Sequence, residues 1–272
     1  MKQKLWLKLL LIAAGIGFLY PMFWMVLTSL KGKSEFYVNP FGLPKEWVFT
    51  NFGEALASLD ILKYSLNSVI YTFGTCLITL LFGSMLAYCI TRMKFRFSRQ
   101  AMFYMSVGLV IPIQVVMIPL YMMVMKMGLK GSRLSLILPY SAFQLASTVL
   151  MISAFLATLP GELEEAAAID GCNVYQAFFK IILRVIKPAV LTRGVFIFIS
   201  IWNEFAIAQV LGNTEKLRPI PVALQSFFLS VGVSHWGLIG AAVVMTSLPS
   251  VLIYCLGNKQ IENALTAGAV LK

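Results

Sequence analysis

A single histidine, His235, stands in a chain of 272 residues. That argues against a metal site built on imidazoles and against a histidine-dependent triad. Cysteine is sparse and scattered: Cys76, Cys89, Cys172 and Cys255 show no CxxC spacing. They read as small buried hydrophobes or free thiols. Charge is scarcer still. Only 12% of residues are Asp, Glu, Lys or Arg, against about 25% in a soluble domain. Carboxylates are the rarer sign, 11 against 22 Lys and Arg, for a net charge of +11. There is no GxxxxGK[ST], so no P-loop holds ATP here, and no HExxH or GxSxG offers a hydrolytic centre. No basic stretch interleaves with stacking aromatics in a polar setting, so the positive charge does not point to nucleic acid. Low-complexity tracts, short repeats and a separate soluble domain are missing too. No residue qualifies as catalytic or metal-binding.

What the chain does have is apolar length. It is 59% hydrophobic, with a mean hydropathy of +0.84, and several runs exceed the roughly 20 residues that span a hydrocarbon core. A β-barrel would alternate polarity over segments of about 10 residues, and none does. The pattern predicts an all-α, polytopic membrane protein with six transmembrane helices, approximately Leu9–Leu30, Leu66–Thr91, Ala101–Met125, Leu134–Thr158, Ala189–Leu211 and Trp236–Gly257. The first run is too long for a signal-peptide core and lacks a small-x-small cleavage site, so it reads as a retained helix. Pro21, Pro112, Pro119, Pro139 and Pro249 fall inside spans, where kinks are expected.

Six spans place both termini on one side. With the termini cytoplasmic, inner segments carry 13 Lys and Arg against 9 outside. The cluster TRMKFRFSR from Thr91 to Arg99 is the clearest local signal. The whole chain, 1–272, then reads as one membrane domain. It has an outer loop at 31–65, a cytoplasmic loop at about 160–188, an outer loop at 212–235 and a cytoplasmic tail at about 258–272.

The loop Pro160 to Pro188, PGELEEAAAIDGCNVYQAFFKIILRVIKP, is polar and acidic inside an apolar protein. Pro160 ends one helix and suits the start of another. Glu162, Glu164 and Glu165 crowd the first turn, where carboxylates meet the helix dipole favourably. Ala166, Ala167 and Ala168 form helix with little bulk, and Gly171 permits a sharp turn. From Val174 to Ile182 the pattern V..AFF.II suggests an apolar face that packs beneath the membrane helices. The physics alone admits either a docking hairpin or an amphipathic interfacial hairpin with no partner.

Glu165-Ala166-Ala167, Gly171 and Ile181 stand in the register of the EAA loop, so the segment resembles the coupling loop of ABC importer permeases. One departure is Leu183-Arg184 where that family has Leu-Pro, and Arg184 can continue a helix that Pro would bend. Asn67-Ser68, Ala87-Tyr88, Trp202-Asn203-Glu204-Phe205 and the ending Leu265-Thr266-Ala267-Gly268-Ala269-Val270 look like permeases of the maltose type, specifically the tailed member of the pair. The resemblance implies the type I permease fold and a cell-membrane location. It implies that Glu164, Glu165, Ala166, Ala167, Asp170 and Gly171 meet a cytoplasmic ABC ATPase dimer, and that Thr266, Ala267 and Gly268 reach the ATPase interface. The partners implied are that dimer, a second homologous permease and an extracytoplasmic sugar-binding protein, with a sugar as cargo and the lipid bilayer around. The chain itself holds no cofactor, since ATP and Mg sit on the ATPase. The 212–235 loop corresponds in position to the one that probes the binding protein.

Glu204 is the only carboxylate that the pattern places within a span. Intramembrane acids face protein or water rather than lipid. Asn203 and Glu204 therefore either line a substrate path or make structural hydrogen bonds. Rival functions stay open: an ABC importer for glycerol phosphate, an amino acid or another small solute, or a secondary transporter, for which one buried acid is thin support.

Overall fold

The computed structural model describes residues 2–93, 95–212, 214–232 and 235–270, the last twelve of these and residues 2–5 by backbone only. In chain order the helices are α1 (Lys2–Ser29), α2 (Glu35–Val38), α3 (Thr50–Leu59), α4 (Ile61–Arg92), α5 (Ser98–Gly108), α6 (Ile113–Lys126), α7 (Leu134–Leu156) and α8 (Glu162–Ile169). Then come α9 (Val174–Gln176), a π-helical stretch Ala177–Ile182, α10 (Leu183–Val185), α11 (Lys187–Trp202), α12 (Ala206–Leu211), α13 (Ile220–Val231) and α14 (Trp236–Val270). No strand occurs among the described residues.

Among the described residues four helices are long and apolar enough to cross a membrane: Trp6–Ser29, Ile61–Arg92, Leu134–Leu156 and Trp236–Asn258. Two of the six expected spans are not single helices. The run expected from Ala101 to Met125 is split into α5 and α6, which bend by 105°. Pro112 causes the break. It opens α6 from an extended conformation, φ −66° and ψ 135°, and a proline disfavours helical geometry in the residue before it. The run expected from Ala189 to Leu211 ends as a helix at Trp202 and resumes at Ala206. Pro21, Pro119, Pro139 and Pro249 do lie inside helices.

The chain forms two compact units. One comprises Met1–Ser65 and Ile220–Pro249. Its centre is the end of α1, where Asn51 Nδ2 donates to the carbonyls of Ser29 (2.9 Å) and Lys31 (3.0 Å). The start of α14 lies against the same backbone: a Cβ on Gly237 would stand 2.2 Å from the Lys31 carbonyl oxygen, so only glycine fits. Lys31, fully buried, donates to Asn39 O at 2.6 Å and Pro40 O at 3.1 Å. The expected outer loop 212–235 is not a free tip. Its second half is α13, whose Ile220, Val222, Ala223 and Phe227 are buried.

The other unit comprises Leu66–Pro219 and Ser250–Lys272. Asn67 donates to Lys216 O (2.9 Å) and Arg218 O (3.1 Å), and Tyr71 to Leu217 O (2.7 Å), which ties the 216–218 backbone to α4. Its core gathers Ala87, Tyr88 and Ile90 of α4, Val149, Ile152 and Leu156 of α7, and Phe178, Ile182 and Ile186 from the polar loop.

Candidate coupling and transport site

The polar loop folds as the helix–turn–helix that its residues suggest. Glu162, Glu164 and Glu165 occupy the first turn of α8. The helix ends in a paired set of bonds: Gly171 N–H donates to Ala168 O (3.0 Å) and Cys172 N–H to Ala167 O (2.9 Å). This is the Schellman arrangement, and it needs a left-handed residue at the turn. Gly171 supplies it with φ +77°. Among the described residues nothing lies within 4 Å of where a Cβ on Gly171 would sit, so backbone conformation rather than space calls for glycine here.

The second arm begins with a device that the residue pattern did not reveal. Asn173 Oδ1 accepts from Gln176 N–H at 2.9 Å, and Gln176 Oε1 accepts from Asn173 N–H at 3.0 Å. That reciprocal capping box satisfies two otherwise orphaned donors. The arm then widens to a π-helix over Ala177–Ile182. Widening changes which side chains share a face, so the simple helical spacing V..AFF.II is not what is buried. Ala177, Phe178 and Ile182 face inward, whereas Val174 and Phe179 are exposed. Phe178 sits 5.3 Å, ring to ring, from Tyr88 of α4. Arg184 does continue the helix, and the bend follows at Ile186, with Pro188 opening α11.

The expected docking residues separate into two sets. Glu165, Ala166, Asp170 and Gly171 are exposed on the tip together with Ala168 and Ile169, the last 87% exposed. Ala167 is buried, and Glu164 is half-buried beside Arg92. Glu164 Oε1 lies 3.2 Å from Arg92 Nε. Arg92, the last residue of α4, also donates through Nη2 to the Leu159 carbonyl at 2.7 Å. One guanidinium thus joins the end of α4, the exit of α7 and the first turn of α8. Thr266, Ala267 and Gly268 lie on the helical backbone of α14, and their side chains lie outside the described residues.

Asn203 and Glu204 sit in the break between α11 and α12, and they diverge. The Glu204 carboxylate accepts the N–H groups of Ile207 (2.8 Å) and Ala208 (3.1 Å), donors that the break leaves without helical partners. Asn203 is exposed, and its Nδ2 donates to Ile199 O at 2.8 Å and Ser250 Oγ at 3.3 Å.

The residue pattern missed Arg193, which it counted among cytoplasmic charges. Arg193 lies inside α11, 8% exposed. It donates through Nε to Thr148 Oγ1 (2.9 Å), and through Nη2 to Ser147 Oγ (2.6 Å), to the Gln144 carbonyl (3.3 Å) and to Gln144 Oε1. The signal was available: an Arg beyond Lys187-Pro188 in an apolar run, opposite Gln144, Ser147 and Thr148 at helical spacing. Among the described residues no three His, Cys, Asp or Glu side chains are grouped as a metal ion would require.

Residues 79–263 match the family described as the binding-protein-dependent transport system inner membrane component. The chain belongs to that family. It is 33% identical to the diacetylchitobiose uptake system permease protein NgcG of Streptomyces coelicolor, over 95% of this chain and 86% of the relative. It is 31% identical to the probable starch degradation products transport system permease protein AmyC of Thermoanaerobacterium thermosulfurigenes, over 98% and 97%. A crystal structure of a bacterial ABC transporter involved in the import of the acidic polysaccharide alginate superposes with a TM-score of 0.82 at 24% identity, covering 94% of this chain and 95% of that one. At that identity the likeness speaks for the fold, which is that of an ABC importer permease. The chain is therefore an integral membrane transport subunit and not a catalyst.

Proposed function

We propose that this permease is one of two homologous membrane subunits of an ATP-driven importer that carries an oligosaccharide into the cell. The observation that carries the reading is the polar loop. Its tip is exposed and acidic, while its second arm is part of the core that α4 and α7 share. A tip so mounted cannot move without moving both helices. ATP and Mg bind a separate ATPase dimer, which receives Glu165, Ala166, Ile169 and Asp170. Glu164 and Ala167 brace the tip from behind. The carbohydrate relatives support a sugar as cargo, delivered by an extracytoplasmic binding protein. The chain crosses the membrane six times, one crossing being the bent pair α5–α6 and one the broken pair α11–α12, with both termini and the loop cytoplasmic. The tail around Thr266, Ala267 and Gly268 extends towards the ATPase.

The test is affinity purification from gently solubilised membranes, comparing wild type with Gly171→Asp, followed by reconstitution in proteoliposomes. The expected wild-type result is co-purification of an ABC ATPase, a second permease and a binding protein, with ATP-dependent uptake of labelled diacetylchitobiose or maltotriose. The variant should lose the ATPase alone. Purification without any ATPase would overturn the reading.

A further inference from the structure

We propose that Gln144, Ser200 and Asn203 form a sugar-hydroxyl subsite on this chain, and that the buried Arg193 positions it. The proposal rests on the oligosaccharide reading above.

A cation in an apolar helix is expensive unless its donors are satisfied, and such residues mark transport pathways by default. Among the described residues Arg193 has no carboxylate partner. Its bonds go to neutral oxygens of α7. One of these, Gln144 Oε1, decides the geometry of everything beyond it. A guanidinium has donors only, so the Gln144 amide must turn its oxygen towards Arg193 and its nitrogen away. That nitrogen donates to Ser200 Oγ at 2.7 Å. With Oγ accepting, the Ser200 hydroxyl hydrogen is left to point outward, as is the second N–H of Gln144. Among the described residues nothing accepts from either group.

Ser200 is exposed, and so is Asn203 nearly one turn further along α11. Both N–H groups of Asn203 are occupied, by Ile199 O and Ser250 Oγ. Its Oδ1 remains an outward acceptor. The face that α7 and α11 share thus presents three polar groups of both kinds, donors at Gln144 of α7 and Ser200 of α11 and an acceptor at Asn203. Phe196, 39% exposed, stands one turn before Ser200 on the same helix face. Lipid offers no partner to such groups. A pyranose does, because its hydroxyls both donate and accept and its ring has an apolar face. Glu204 takes no part, since both of its oxygens accept N–H groups of α12.

The experiment uses the assembled transporter in lipid nanodiscs, with Cys76, Cys89, Cys172 and Cys255 replaced by serine or alanine. Ser200→Cys and Asn203→Cys are treated with a charged, membrane-impermeant methanethiosulfonate. Both should react, and saturating diacetylchitobiose or maltotriose, whichever the wild type imports, should slow the reaction at least fivefold. Gln144→Glu supplies the activity test without endangering the fold. It gives Arg193 a carboxylate to bond but removes both side-chain N–H donors. The sugar KM should rise about three- to tenfold, the loss expected for one or two hydrogen bonds, with ATPase stimulation by loaded binding protein retained. Arg193→Lys, which keeps the charge and loses the fork, should raise KM similarly. Added to Gln144→Glu it should cause little further rise, because both act through one amide. If wild type imports sugar but neither cysteine reacts, or sugar fails to protect them, the subsite is overturned. An unchanged KM in Gln144→Glu overturns it too. If wild type imports neither sugar and binds no ATPase, the parent reading falls and the subsite falls with it.

Discussion

Gly171 separates two explanations for a glycine at the tip of the loop, and a short series of variants decides between them. The residue is held at φ +77° by the Schellman bonds, and the space beside it is open. If backbone conformation is what matters, substitutions should rank by their tolerance of the left-handed region. An alanine there costs about 1–2 kcal/mol, whereas asparagine visits that region more readily and is the second choice at such helix ends. If bulk at the docking surface is what matters, the ranking reverses, since asparagine is larger. In the conformational account the tip samples its docking shape less often, and the apparent affinity for the ATPase falls by that fraction. Gly171→Ala should therefore weaken ATPase binding about five- to thirtyfold, and Gly171→Asn by less. The assay is a titration of the nanodisc-embedded permease with the ATPase, read as ATPase activity against concentration. Asparagine proving worse than alanine would refute the conformational argument and leave a steric one.

Arg92→Ala should leave ATPase binding largely intact but depress uptake per ATP hydrolysed, because the tie between α4 and α8 is lost; equal uptake per ATP would show that the tie is dispensable. Asn173→Ala removes half of the capping box and should cost about 1 kcal/mol locally, visible as faster amide hydrogen exchange over Val174–Gln176 than in wild type. Glu204→Ala should lower the thermal stability of the permease by about 0.5–2 kcal/mol, the range for losing a cap, while Glu204→Gln keeps one accepting oxygen and should import sugar within about threefold of wild type, a single hydrogen bond's worth; a complete loss in Glu204→Gln would return the charge to the transport path. Gly237→Ala should abolish assembly, since its Cβ would collide with the Lys31 carbonyl; normal yield would contradict the close approach of α14 to the end of α1.

Periodicity and composition carried most of the architecture. The four long helices were legible because an apolar run of more than 20 residues has no other stable use. The acidic first turn of α8 and its glycine terminator were legible because both rest on local chemistry. What stayed hidden depends on partners distant in sequence. Nothing around Pro112 distinguishes a kink from a 105° bend, because neighbours decide whether a proline's missing bond is tolerated. The pairing of Glu164 requires knowing that Arg92 ends α4 beside it. The π-helix at Ala177–Ile182 moves one residue out of register, and a 3.6-residue template cannot anticipate that. The buried network of Arg193 stayed hidden because a count of charges by segment does not register which side chains of another helix face each one.

Two of the breaks in this chain gather polar chemistry. At the α11–α12 break, the freed N–H groups of Ile207 and Ala208 recruit Glu204, and Asn203 is turned outward by the same interruption. At the end of α7, the Leu159 carbonyl lacks a helical donor and recruits Arg92, which then has Glu164 within reach. At both places the interruption frees the backbone groups that the charge binds, whereas Arg193, inside a continuous helix, relies on oxygens of α7; without such partners burial would be prohibitive. The interruptions therefore make the charged residues affordable, and the charged residues hold the interruptions in one geometry. A transporter needs both properties in one place: polar groups at membrane depth to receive a hydrated cargo, and defined joints about which packed helices can turn.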